Sequence, residues 1–160
     1  MQTSYHAAFA WSSQVNFQKT RQFFARRSEI ASIRRFVESV CASMAFPDRQ
    51  RLVLIVEELF SNSIDHGYGG DSDQPVWLTL TLTADGCHLA YRDMAPAYNP
   101  FISARLPVLG PDALNRPEGG LGVFLIGQLS SSRRYERRDE HNHIELFVPR
   151  SDRDANTEVP

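Results

Sequence analysis

The stretch "EELFSNSIDHGYGG", Glu57 to Gly70, holds two adjacent carboxylates, an amide, an Asp-His pair and three glycines within fourteen residues. Leu52, Ile55, Val56, Leu59 and Phe60 gather on one side of a helix drawn through it at about 100° per residue. Glu58, Asn62 and Asp65 fall within roughly 60° of one another on a neighbouring side. The spacing predicts a helix from Asp48, a capping residue, to about His66, with Gly67 as its left-handed terminator. Pro47 restarts the chain by biasing Phe46 away from the helical region. A solvated polar face explains a Glu/Asn pair at i, i+4 as well as a site does. The rest of the chain decides between the two.

Upstream, Arg21 to Ala25 reads as a first strand. "SEIASIRRFVESVCASMAF" then places Ile30, Ile33, Val37, Val40, Cys41 and Met44 at helical spacing, with Ser28 as N-cap. Downstream, "PVWLTLTLT" alternates Val76, Leu78, Leu80 and Leu82 with Trp77 and three threonines, which is strand periodicity with one aliphatic face. Ala84-Asp85-Gly86 turns the chain into a second strand, "CHLAYRD". Met94 to Glu118 holds five prolines and no clear period, and a loop of that length in a compact domain is usually functional. A short helix from about Gly120 to Leu129 and strands near Arg133–Arg138 and His143–Pro149 complete the reading. The expected architecture is α/β, a two-layer sandwich of helices on a mixed, largely antiparallel sheet. Residues 1–20 read as an N-terminal extension, 21–150 as one domain and 151–160 as a polar tail.

Composition excludes more than it assigns. The 160 residues are 42% hydrophobic and 22% charged, as in an ordinary globular chain. A formal net charge of -2 gives no field for nucleic acid, and the basic run "RRYERR" is interrupted by Tyr135 and Glu136. "MQTSYHAAFAWSSQ" lacks the basic and apolar regions of a signal peptide, and no segment approaches about 18 apolar residues. The expectation is a cytoplasmic protein without membrane contact. Cys41 and Cys87 read as packed, reduced thiols. His141 and His143 fit a hairpin turn better than a metal cluster.

Two segments weigh on the opening question. "YRDMAPAYNPF" places Asp93 at a strand end before a proline-broken loop, and "PEGGLGVFLIGQL" places Gly119, Gly120 and Gly122 at a helix start. Backbone N–H groups and the helix dipole there favour an anion such as phosphate, although tight packing explains such glycines too. A helix with Glu-x-x-x-Asn, a strand ending in Asp-x-Ala, then a loop and a Gly-x-Gly helix start resembles the N, G1 and G2 boxes of the GHKL ATPase superfamily, which includes gyrase, histidine kinases and MutL. Within it the chain is most similar to stand-alone anti-sigma factor serine/threonine kinases, from about Arg21 to Arg150.

The resemblance implies the Bergerat ATP-binding fold, with ATP and Mg²⁺ as cofactors. It implies that Asn62 gives an amide oxygen to Mg²⁺, that Glu58 is the general base and that Asp93 accepts a hydrogen bond from the adenine amino group. Gly119, Gly120, Leu121 and Gly122 would line the phosphates, and Met94 to Glu118 would be the ATP lid. Asp65 and His66 match positions beyond the metal ligand, with helix capping open as a second role for His66. Arg116, or its rival Arg105, would reach the γ-phosphate. Glu57 points elsewhere on the helix and reads as structural. The chain departs from the family in having Ala95 where glycine is frequent, and Asn142 and His143 near the usual place of a threonine.

Phosphoryl transfer needs positioning and charge neutralisation more than covalent help, so a metal, backbone donors and a lid form a sufficient kit. The resemblance implies a partner-switching serine kinase that sequesters a sigma factor or similar effector and phosphorylates a STAS-type anti-anti-sigma protein, with homodimerisation and no direct nucleic-acid contact. The alternatives are a GHKL interaction module that has lost turnover, kept open by Ala95, and an ATPase whose glutamate activates water. Against the last, about eleven residues follow the final strand, where gyrase-like members carry a transducer domain; against a histidine kinase, too few residues precede the first strand for a dimerisation domain.

Overall fold

The computed structural model describes residues 15–102 and 121–151, and within them the alternating stretch Pro75–Thr83 forms strand β2. Its even-numbered aliphatics, Val76, Leu78, Leu80 and Leu82, are buried, and the odd-numbered positions from Pro75 to Thr81 are half-buried. β1 (Val15–Phe24) and β3 (Gly86–Asp93) flank it, and β5 (His141–Pro149) and β4 (Ser132–Arg138) complete the order β1-β2-β3-β5-β4. The sequence reading allows a mixed sheet; every pairing is antiparallel. Helices α1 (Ile30–Val40), α2 (Phe46–Asn62) and α3 (Leu121–Leu129) complete the two-layer α/β sandwich. Ile33, Phe36, Val37, Leu52, Ile55, Val56, Leu59 and Phe60 join the inward faces of β2, β3 and β5 in one core. Each large apolar side chain so buried contributes about 1.5–3 kcal/mol. Among the described residues, no helix is long and apolar enough to cross a membrane.

Four local expectations are corrected. β1 begins at Val15 rather than Arg21, because an edge strand whose residues from Phe17 to Gln22 are all exposed carries little hydrophobic alternation. Ser28 caps nothing: it lies in a 3-10 turn, Arg27–Glu29, whose first N–H is capped from a distance by Asp71 Oδ1 at 2.9 Å. α2 starts at Phe46 with Pro47 in its first turn, where a missing N–H costs little. Asp48 is therefore not the cap; it is buried, bound to Arg51 and to the N–H of Ser151 at 3.2 Å, and it ties α2 to the end of β5. Beyond Asn62 the helix widens into a π turn, Ser63–Tyr68, and the left-handed terminator is Gly69 at φ 72°, not Gly67.

Candidate functional site

The inward face of β3 runs Cys87, Leu89, Tyr91 and then Asp93; that of β5 runs Val148, Leu146, Ile144 and then Asn142. Both apolar ladders turn polar at the same end of the sheet, because Asp93 and Asn142 are paired in register. They are 4% and 2% exposed, and a carboxylate so buried needs donors. Asn142 Nδ2 donates to Asp93 Oδ1 at 2.7 Å and the N–H of Ala95 to the same oxygen at 3.1 Å. Ser63, just past α2, donates to Oδ2 at 2.5 Å, and its hydroxyl also meets Tyr91 OH at 2.8 Å. Asn142 Nδ2 further reaches the carbonyls of Ala95 and Pro96, each at 3.2 Å. Its Oδ1 accepts from Tyr135 OH at 2.8 Å and from Arg137 at 3.2 Å, and Arg137 in turn donates to Ala95 O at 2.6 Å. The turn after β3 is thereby clamped to β4 and β5.

These groups border a small cavity of about 20 Å³ whose other walls include Leu59, Asn62, Gly67, Tyr98 and Ile144. Ala95 is buried at its edge, and its methyl occupies room that Gly67 leaves: a Cβ on Gly67 would lie 2.7 Å from that of Ala95. Gly67 is thus demanded by close packing rather than by helix termination. Tyr68, in the same π turn, accepts the N–H of Met94 at 2.9 Å, and burial first, with the Asp93 charge also contributing, pushes its hydroxyl up to about 12.

On α2, Glu58 and Asn62 stand one turn apart. Burial, and secondarily the charge of Glu57, hold the Glu58 carboxyl above the usual glutamate range. Asn62 Nδ2 is buried with no partner among the described residues. Leaving such a group unsatisfied costs about 1–3 kcal/mol, so the amide is suited to a polar ligand. Gly122 opens α3 directly against Glu58: a Cβ there would fall 1.7 Å from Glu58 Oε2. Glu57 is structural, joined by Arg34 through bonds of 2.8 and 3.0 Å that fasten α1 to α2. Asp65 does not join Glu58 and Asn62; the π turn leaves it exposed and paired with Arg27. His66 is exposed, its ring 6.3 Å from that of Tyr98. Leu121 is the first residue of α3, and Arg105, Arg116, Gly119 and Gly120 lie outside the described residues.

Sequence reasoning missed Ser63 and Asn142 as site residues. The signal for Asn142 was present: in "HNHIELFVP" it shares the parity of Ile144, Leu146 and Val148, which is a polar residue in a core-facing register. His141 and His143 follow a tight turn with positive φ at Asp139 and Glu140, and no group of three or more potential metal-binding His, Cys, Asp or Glu residues occurs among the described residues.

The arrangement is a small, mainly apolar slot with one carboxylate at its base, an amide nitrogen without a partner among the described residues on one wall and a glutamate one turn away. Comparison with known proteins agrees with it. The chain is 30% identical to the serine/threonine-protein kinase BtrW of Bordetella bronchiseptica over 98 residues, 61% of this chain and 68% of that protein. Residues 23–148, from late β1 to near the end of β5, match the histidine kinase-like ATPase domain, and the chain belongs to that family.

Proposed function

We propose that the chain is an ATP- and Mg²⁺-dependent serine protein kinase that works as a partner switch, holding a sigma factor or similar effector and phosphorylating a STAS-type antagonist. The observation that carries this reading is the Asp93 cavity with Glu58 and Asn62 one turn apart on α2 beside it. Asp93 accepts the amino group of adenine between Leu59 and Ile144. Rotation of the Asn62 amide, whose Nδ2 has no partner among the described residues, would present its oxygen to an ion that takes oxygen ligands and keeps several waters. When bound, Mg²⁺ neutralises phosphate charge. Glu58 takes the proton of the acceptor serine as its oxygen bonds to the γ-phosphorus and the bond to the departing ADP breaks. The printed name of BtrW supports kinase chemistry.

One observation favours a second reading, a nucleotide-gated binding module without turnover: the first turn of α3 covers the Glu58 carboxylate. Incubation with labelled ATP, Mg²⁺ and STAS-type proteins separates the two. The kinase reading expects label on a partner serine, lost in Glu58→Gln, with Mg²⁺-dependent ATP binding lost in Asn62→Ala. ATP binding without transfer to any such partner would leave the module.

A further inference from the structure

Resting on the nucleotide reading of this cavity, we propose that Asn142 makes the site selective for adenine over guanine nucleotides by occupying one oxygen of Asp93. A carboxylate offers about four acceptor positions, two on each oxygen. Both positions of Asp93 Oδ1 are filled, by Asn142 Nδ2 at 2.7 Å and by the N–H of Ala95 at 3.1 Å. Ser63 Oγ fills one position of Oδ2 at 2.5 Å. A single position on Oδ2 remains for a ligand.

The two purines differ in what they ask of such a group. Guanine presents N1–H and N2–H side by side, two donors that need both carboxylate oxygens. Adenine presents one N6–H donor beside the N1 acceptor. A carboxylate with one oxygen saturated still takes the single adenine N6–H, while the adenine N1 acceptor asks nothing of it; the same carboxylate leaves one guanine donor buried without a partner, which is the kind of mismatch that discriminates strongly. Asn142 holds its position because its own oxygen is engaged by Tyr135 OH at 2.8 Å and by Arg137 at 3.2 Å, so the amide keeps Nδ2 toward Asp93. Base selection therefore resides in a residue that need not touch the base.

The test compares Asn142→Val with Asn142→Thr, two β-branched strand residues of equal shape that differ by one hydroxyl donor. ATP and GTP are titrated calorimetrically against the wild type and both variants, and the readout is the ratio of the two affinities, because Asn142 also clamps the turn after β3. Asn142→Thr keeps a donor on Oδ1 and retains the wild-type ratio; Asn142→Val frees a position on Oδ1 and lowers the preference for ATP by roughly tenfold. Equal ratios in the two variants, with ATP still bound, overturn the inference and leave the nucleotide reading intact. Failure of the wild type to bind ATP overturns both. Should Asn142→Val not fold, Asn142→Leu, close to asparagine in size and without a donor, takes its place, and a ratio equal to that of Asn142→Thr is equally decisive against the inference.

Discussion

The two halves of the cavity are built on opposite principles. At the sheet, Asn142 and Ser63 both bind Asp93 in a hydrogen-bond network that leaves one position of Oδ2 open, and Asn142 alone engages six residues. At the helix, Asn62 keeps a buried nitrogen without a partner among the described residues, and Glu58 is desolvated beside a like charge. Preorganisation on one side and unmet polar demand on the other is the division expected where one half must recognise a ligand rigidly and the other must act on it. A network with nearly all its positions paired holds its shape before a ligand arrives, whereas an amide nitrogen without a partner among the described residues and a raised carboxyl are stabilised or used only when something enters.

The largest expected effect breaks the paired half. Asp93→Asn puts an amide among three donors and should weaken ATP binding about 100-fold in a calorimetric titration; affinity within a factor of three of wild type would show that the sheet does not recognise the base. Next comes the seam between the halves. Gly67→Ala drives one Cβ into another fixed to backbone and should cost about 1–3 kcal/mol in chemical denaturation. Ala95→Gly in the same chain should restore most of it, and no restoration would mean that the contact is not the cause.

A smaller effect sharpens the acting half. The atoms that Gly122→Ala meets are the far end of the flexible Glu58 side chain, which can swing away, so melting should hardly change. Serine phosphorylation should nevertheless fall roughly tenfold, because the base is displaced; unaltered transfer would detach Glu58 from the chemistry. The smallest effect is in pH. As a base, Glu58 must be deprotonated, and its raised pKa puts the acid limb of the rate profile above the ordinary glutamate range, so activity is lost as pH falls through that raised value. Glu57→Gln removes a like charge and should move the limb to lower pH. A limb that stays in place would leave burial as the whole cause.

A separate pH signature lies in the fold. Burial lowers His88 to about 4, so the unfolded chain, with its histidine near 6.5, takes up a proton first. The contribution of His88 to stability is present above that unfolded value and is lost as pH falls from about 6.5 toward 4.

Much of this molecule was legible in the sequence. Strong period-2 alternation located β2, and the apolar stripe from Leu52 to Phe60 located the core face of α2, because both elements bury one face against many partners. What escaped depends on distant residues. Why position 67 is glycine is decided by the approach of Ala95, 28 positions away, and the 3-10 turn ahead of α1 is capped by the distant Asp71. Glu58 and Asn62 were named as candidates because a local motif spaces them on one helix; Asn142 was passed over because its burial against Asp93 appears only when β5 pairs with β3.

That pairing has a temporal consequence. β2 and β3 form one local hairpin and β4 and β5 another, each closed by a short turn, whereas Asp93 and Asn142 are 49 positions apart. Closing a loop of that length carries an entropy penalty of roughly 3 kcal/mol beyond a constant, so the hairpins can assemble separately before they dock. The hydrogen-bond network of Asp93 and Asn142 lies on the docking line and is therefore completed only when two independently closing pieces meet. A bound nucleotide would act as a rivet across that line, slowing hydrogen exchange of the β3–β5 amides first and marking this joint as the place where the chain would otherwise begin to open.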